Sequence, residues 1–404
     1  VSARATGLRS LALPLGATLA VQTLVALGVY CAPVMAPVAA RELGVPASAI
    51  GYFIAVAYLG SMLGSASAGG WVARFGAIRV SQVGLVLVLA GLLLAATAVR
   101  PLMLLGAFVI GLGYGPATPA SSHILARAAP PGLVALTFSI KQTGVPAGAA
   151  IAGALVPALI LAFGWRRSAV FVGLACLLLA LAIEPARTRY DRGLNRSAPV
   201  SLAAAFQPVA LVLRTPRLRE MALASFIFGG VQITLVTYLV TFLTERFALS
   251  LVLAGFVMAV SQVASVIGRI VWGAVADRIA TRRSVLGSLG LGMAVSAFAT
   301  LAASPHWPAW LLFGYATVFG ATAVGWNGVY LAEVARLAPA GQIGQATGGC
   351  LFFTFLGVVV TPLVFNLVLG LAASYSIAYA VFGVPALAIG LRMLSGHRGL
   401  ESHR

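Results

Sequence analysis

Negative charge is nearly missing from this 404-residue chain: eight aspartates and glutamates stand against 26 lysines and arginines, and charged residues of both signs make up only 8%. So few charges cannot solvate a soluble domain of this length. With 61% hydrophobic residues and a mean hydropathy of +1.03, the composition is that of a polytopic membrane protein. Lysine is reduced to Lys141 alone. The three cysteines, Cys31, Cys176 and Cys350, fall in separate apolar runs without the paired spacing of a metal site or a disulfide framework, so packing is their expected role. HExxH, paired histidines and acidic metal motifs are missing too, which argues against a membrane enzyme and leaves no cofactor to expect. A net charge of +18 would suggest nucleic acid in a soluble protein, but these arginines sit in short links between apolar runs, where they orient helices; no nucleic-acid partner is expected.

What is present is a series of long apolar runs. A span needs about 20 such residues, and hydropathy predicts twelve: 11–39, 47–73, 79–99, 101–127, 134–162 and 167–185, then 217–244, 251–277, 284–303, 309–336, 343–371 and 374–394. The first run is too long for a signal-peptide core and is expected to be a span, while the start at Val1 rather than Met is expected to reflect processing or trimming. A polar stretch, Glu184 to Glu220, divides six spans from six and carries Arg187, Arg189, Arg192, Arg196, Arg214, Arg217 and Arg219. The expected architecture is all-α integral membrane, with six-helix bundles at 1–185 and 217–404 joined by a cytoplasmic linker at 186–216. If the N-terminus is cytoplasmic, the inside segments hold Arg4, Arg9, Arg74, Arg79, Arg127, the linker arginines, Arg278, Arg282, Arg283, Arg336, Arg392, Arg398 and Arg404, against Arg41, Arg100, Arg166, Arg167 and Arg246 outside. Both termini are therefore expected in the cytoplasm of a cell whose plasma (inner) membrane holds the chain, as a monomer.

The halves repeat. Overlaying the second span on the eighth pairs Gly51 with Gly255, Ala55 with Ala259, Gly64 with Gly268, Gly69 with Gly273 and Arg74 with Arg278; a second overlay pairs Arg127, Pro130 and Gly132 with Arg336, Pro339 and Gly341. Repeated bundles of this kind in transporters place substrate near the midplane and work by alternating access.

Two cations lie inside apolar spans: Arg269 in SQVASVIGRIVWGAVADR and Lys141 in FSIKQTGVPAGAAIAGALVP. No carboxylate falls mid-span. A guanidinium at membrane depth costs about 2.5–3.5 kcal/mol even on the mildest scale, so it is kept where it faces a bundle interior or a watery cavity. Arg269 has the planar fork to take a carboxylate in two hydrogen bonds; the competing role is structural, bonding helix carbonyls or a gate. Lys141 is either a second substrate cation or a side chain snorkelling to the headgroups. By helix rise both lie ~10 to 12 Å from the cytoplasmic helix ends.

The segment Gly273-Ala-Val-Ala-Asp277-Arg278, followed by Arg282 and Arg283, resembles the signature of the major facilitator superfamily between the second and third helix of each half, and the resemblance covers nearly the whole chain. The first-half copy, Gly69-Gly-Trp-Val-Ala73-Arg74-Phe-Gly76, has Ala where the family has Asp, and Gly144 to Pro157 is similar to the family's Gly/Pro-rich fifth helix. Gly268-Arg269-Ile-Val-Trp-Gly273 resembles the eighth helix of the monocarboxylate and oxalate:formate transporters, whose matching arginine holds a substrate carboxylate, and the chain as a whole resembles bacterial organic-anion porters of these and the cyanate-permease kind; Ser265 stands where monocarboxylate transporters place an Asp.

The resemblance implies that the fifth and eighth helices face each other, so that Lys141 and Arg269 share one anion, and that the first, fourth, seventh and tenth helices line the cavity with Gln22, Tyr114, Gln232, Trp326, Asn327 and Tyr330. For each of these, packing or a helix-to-helix hydrogen bond is the plainer role. It also implies a gate of Asp277, Arg278, Arg282, Arg283, Glu333 and Arg336, with Glu333 pairing with Arg282 and Arg283. In the first half Ala73, Arg74, Arg79 and Arg127 offer no acid, so unequal locks are expected. The expected function is secondary transport of a small organic anion, most simply a carboxylate. The alternatives are an inorganic anion such as cyanate or nitrate, a porter-fold receptor or channel, and a drug:proton antiporter, the last disfavoured because no first-half span carries a carboxylate.

Overall fold

A backbone in hydrocarbon must satisfy its own N–H and C=O groups, which leaves long apolar runs little choice but helix. The computed structural model describes residues 2–129, 134–197, 206–278, 280–339 and 342–395, so Pro130, Gly132, Gly341, Arg398, Arg404 and part of the polar linker lie outside it, as do the side chains of Arg4 and Arg9. In chain order come α1 (Ser2–Leu43), α2 (Ile50–Phe75), α3 (Ala77–Ala96), α4 (Arg100–Tyr114), α5 (Ala117–Ala128), α6 (Val134–Gln142), α7 (Gly144–Phe163), α8 (Trp165–Ala182), α9 (Glu184–Tyr190) and α10 (Phe206–Arg214). They are followed by α11 (Pro216–Arg246), α12 (Leu251–Arg278), α13 (Arg282–Ala299), α14 (Ala309–Ala323), α15 (Asn327–Leu337), α16 (Ile343–Ala372) and α17 (Tyr375–Ser395). Twelve helical stretches are long and apolar enough to cross a membrane, among the described residues. Three of the expected spans are not continuous: the fourth breaks between α4 and α5, the fifth between α6 and α7, and the tenth between α14 and α15.

The chain clusters into two units, one of residues 1–35 and 56–204, the other of residues 36–55 and 205–404. In the first, α3 packs on α4 and α8; in the second, α11 packs on α16, α13 on α17 and α12 on α14. The repeat seen in the sequence is also a repeat of contacts. A Cβ at Gly111 of α4 would run into the carbonyl of Ala57 on α2, and one at Gly320 of α14 into the carbonyl of Ser261 on α12. The offset that carries Arg127 onto Arg336 carries Gly111 onto Gly320, and the one that carries Gly51 onto Gly255 carries Ala57 onto Ser261. Small residues that let backbones touch are the usual glue between helices in lipid.

The start of α3 is held by a residue distant in the sequence. Gly76 precedes the helix at φ +97° with no side chain to cap it. Asp191, far along the chain beyond α9, fills that role: its carboxylate accepts from the backbone N–H of Ile78 at 2.9 Å and of Arg79 at 3.0 Å. Capping oxygens of this kind are worth about 1 kcal/mol. Asp191→Ala is therefore expected to lower the melting temperature of the purified protein, with Asp191→Asn, which keeps one acceptor, losing less. An unchanged melting temperature in Asp191→Ala would remove the cap from this account.

Candidate functional site

In the first unit the site is built where two helices break. Pro116 has no N–H to continue α4 and its ring crowds the preceding turn, so the span restarts as α5 at Ala117 and presents Thr118 in its first turn. Lys141 is the penultimate residue of α6, just before the break at Thr143. Its side chain does not snorkel: it is 1% exposed, and Nζ donates to Thr118 Oγ1 at 3.1 Å and to Gln142 Oε1 at 3.3 Å. The Thr118 hydroxyl then donates to Gln22 Oε1 on α1 at 3.1 Å. Gly144 sits against the Gln22 side chain, where a Cβ would come within 2.9 Å. Among the described residues no carboxylate pairs with Lys141. Burying an ion costs several kcal/mol, and each hydrogen bond from an ammonium to a neutral oxygen returns only about 1.5–3 kcal/mol. Tyr114, the last residue of α4, meets Tyr58 edge-on at 5.9 Å, and Tyr58 exchanges a 2.7 Å hydroxyl hydrogen bond with Tyr30.

The second unit has a matching construction. Between α14 and α15, residues Val324 to Trp326 leave the helix and free carbonyls at its C-terminal end. Two side chains one turn apart on α12 take them: Arg269 Nε donates to Val324 O at 3.2 Å, and Trp272 Nε1 to Ala321 O at 2.9 Å. A cation at the negative end of a helix is favoured electrostatically, so the break stabilises Arg269 as Arg269 stabilises the break. Gln232 on α11 accepts at Oε1 from Trp326 Nε1 at 3.0 Å and from Asn327 Nδ2 at 3.3 Å, and Asn327 also reaches Val324 O at 3.5 Å. Trp326 and Tyr330 are each 1% exposed and meet edge-on at 5.0 Å, so both belong to the core of the unit.

Thr118 is not among the residues the sequence singles out, yet the signal is there. The offset from Arg127 to Arg336 carries Thr118 onto Asn327 and the break at Gly115 onto Val324. In each unit, then, a glutamine (the buried Gln22, the half-buried Gln232) bonds the first polar residue after the break (Thr118, Asn327), and a cation from a neighbouring helix closes the network. Lys141 comes from the fifth span and Arg269 from the eighth, so the cations do not obey the repeat.

The charged clusters near the helix ends correct two expectations. Glu333 does not pair with Arg282 and Arg283. It holds Arg336 on its own helix, at 2.6 and 2.8 Å, because the two lie three residues apart on one face. Arg283 instead takes Glu220 at the start of α11 with both Nη groups, at 2.6 and 2.9 Å, and Glu220 also accepts from Arg392 Nε of α17 at 3.2 Å. Asp277 meets Arg282 at 3.5 Å, an exposed contact of little weight. Arg278 has no ion pair among the described residues.

Nor is the first unit without acid: Glu184 lies 3.7 Å from Arg79 and accepts from Gln82 Nε2 at 2.7 Å. That amide first, with Arg187 next, holds the Glu184 carboxyl below its usual range. Since Glu220 ties three helices and Glu333 only one, Glu220→Gln is expected to lower the melting temperature more than Glu333→Gln. The reverse order would put the principal lock at Glu333.

Three His, Cys, Asp or Glu side chains are nowhere grouped to hold a metal ion, among the described residues. What the two networks offer is fixed positive charge flanked by neutral hydrogen-bonding groups, which is suited to an anion.

Stretches of this sequence recur in known proteins. A stretch of 152 residues, 37% of this chain and 38% of the relative, is 39% identical to a probable nitrate/nitrite transporter, NarK2, of Mycobacterium tuberculosis. Over the same length the chain is 34% identical to the 4-hydroxybenzoate transporter PcaK of Pseudomonas putida, covering 34% of it. The chain thus spans under two fifths of these relatives. The match to a probable sulfoacetate transporter, SauU, of Cupriavidus necator is longer, 27% identical over 88% of this chain and 87% of that one. In fold, the chain is similar to a nucleoside transporter, NupG (TM-score 0.76, 16% identity, 95% of this chain and 99% of that one), and to a POT family transporter solved with 5-aminolevulinic acid (TM-score 0.76, 15% identity, 94% and 95%). With residues 18–362 matching the family as a whole, the chain belongs to the Major Facilitator Superfamily.

Proposed function

We propose that this protein is a secondary transporter of a small organic anion, with a carboxylate as the group recognised, working by alternating access of its two six-helix halves, 1–185 and 217–404. The observation that carries the reading is the buried Lys141 ammonium, 1% exposed and bonded to neutral oxygens, matched by Arg269 at a helix break in the other half. Arg269 is the anchor, its Nη edge taking the carboxylate while Nε keeps the Val324 carbonyl. Lys141 is the second substrate cation. Asn327, Gln232 and Gln22 orient polar ends of the substrate, Tyr114 contacts its body, and Trp326 and Tyr330 hold the second-half network in shape. Asp277, Arg278, Arg282, Arg283, Glu333 and Arg336 belong to the cytoplasmic gate, with both termini on that side of the plasma membrane.

Relatives named for nitrate, 4-hydroxybenzoate and sulfoacetate support an anionic substrate and make inorganic nitrate the second reading. A thermal-shift screen of the purified protein against those three anions, and against mono- and dicarboxylates, separates the two. A ligand at 100 times its Kd stabilises a folded protein by about 2.7 kcal/mol. Organic carboxylates are expected to raise the melting temperature and nitrate to leave it unchanged; a shift with nitrate alone would select the inorganic reading.

A further inference from the structure

Away from the two networks, the second unit contains a cavity of about 720 Å³ where α10, α11, α16 and α17 meet. One end of it is basic: Arg217 and Arg219 in the first turn of α11 and Arg392 in the last turn of α17. The other walls are apolar, with Leu223 and Phe226 on α11 facing Phe353 and Leu356 on α16. The single carboxylate in the lining, Glu220, is already committed to the bidentate Arg283 pair and to Arg392. Arg217 and Arg219 carry no ion pair among the described residues. Four arginines therefore meet one neutralised acid, and the excess is positive.

The arrangement has a direction. Pro216 opens the seventh span, so the arginines stand at the end of a membrane helix, and from there to Phe226 the helix rises ~15 Å into its apolar part. Leu223 is 49% exposed and Leu213, on α10, is 52% exposed, as expected of side chains that face lipid rather than protein. The floor is kept in place by α10, whose Pro208 carbonyl lies so close to Gly349 of α16 that a Cβ there would collide with it. A free anion would satisfy the arginines and leave the apolar walls unused; a neutral lipid would do the converse. A molecule with an anionic head at a helix end and an aliphatic tail running along the span uses both.

We propose that this groove binds one anionic glycerophospholipid, its phosphate held by Arg217, Arg219 and Arg392 and an acyl chain laid between α11 and α16. Planar guanidinium forks match phosphate oxygens in pairs, and basic pockets beside membrane helices are where such headgroups bind. The bound lipid bridges α10, α11, α16 and α17 through the same Arg392 that grips Glu220, so it reinforces the Glu220 cluster.

The test uses the full-length protein, delipidated in a neutral detergent and titrated with phosphatidylglycerol, phosphatidylcholine or inorganic phosphate. Phosphatidylglycerol is expected to raise the melting temperature well above the shift given by phosphatidylcholine, with inorganic phosphate giving none. In the Arg217→Gln/Arg219→Gln variant its apparent affinity is expected to fall about tenfold or more, the loss of at least one charge-assisted hydrogen bond. Native mass spectrometry of the wild type, which needs no variant to fold, is expected to show one phosphatidylglycerol retained in preference to phosphatidylcholine. Equal retention of the two lipids, an equal shift in the variant, or a shift reproduced by inorganic phosphate alone would each overturn the proposal.

Discussion

Arg269→Lys is expected to lower substrate affinity by about 10- to 100-fold although the formal charge is kept. A lysine on α12 presents a point charge with no fork, so it cannot hold a carboxylate along two parallel N–H bonds. It also gives up the 3.2 Å bond to Val324 O, on which the end of α14 and the placement of Asn327 both depend. One charge-assisted hydrogen bond is worth about 1.5–3 kcal/mol, and 1.4 kcal/mol is a factor of ten in affinity. Isothermal titration of the purified variant measures it directly. Trp272→Phe is the accompanying control, since Trp272 bonds the neighbouring Ala321 carbonyl and has no charge to offer a substrate. If Trp272→Phe costs as much affinity as Arg269→Lys, the arginine is acting through the helix break and not on the anion.

The second large effect concerns what the empty protein does. An uncompensated cation at membrane depth costs about 2.5–3.5 kcal/mol, so a carrier whose buried Lys141 has only neutral oxygens around it is slow to reorient, by about 100-fold relative to one in which that cation holds an anion. Exchange of anion for anion is therefore expected to outrun net flux by that factor. Lys141→Gln removes that charge while keeping a group able to donate to Thr118. Net efflux from loaded proteoliposomes should then rise toward the exchange rate, and the stimulation by substrate on the far side should shrink toward unity. Strict dependence on an imposed pH gradient in the wild type, with no stimulation by trans anion, would replace exchange with proton symport.

Much of this was open to view in the sequence, and for physical reasons. Spans announce themselves through hydropathy because lipid leaves the backbone no alternative to helix, and Lys141 and Arg269 stand out because charge at that depth is rare. The repeat overlay even contained the information for Thr118. What stayed hidden was set by distance along the chain. Asp191 caps α3 from beyond α9, and Glu220 binds Arg283 and Arg392 from the start of α11; no local spacing joins these residues. The pairing expected for Glu333 failed for the opposite reason, since a partner three residues away, Arg336, is always within reach on a helix. Helix breaks were half legible: Gly115-Pro116 carries its own breaker, whereas Val324 to Trp326 contains no proline and is held by side chains of α12.

Counterflow tests the central claim most directly. Proteoliposomes loaded with an unlabelled carboxylate that raises the melting temperature, then diluted into trace labelled substrate, are expected to accumulate label transiently above its equilibrium level, and Arg269→Lys is expected to abolish the overshoot at the same concentration. A channel or a receptor on this fold would equilibrate the label or exclude it. No overshoot with any stabilising anion would contradict the assignment of this protein as an anion carrier.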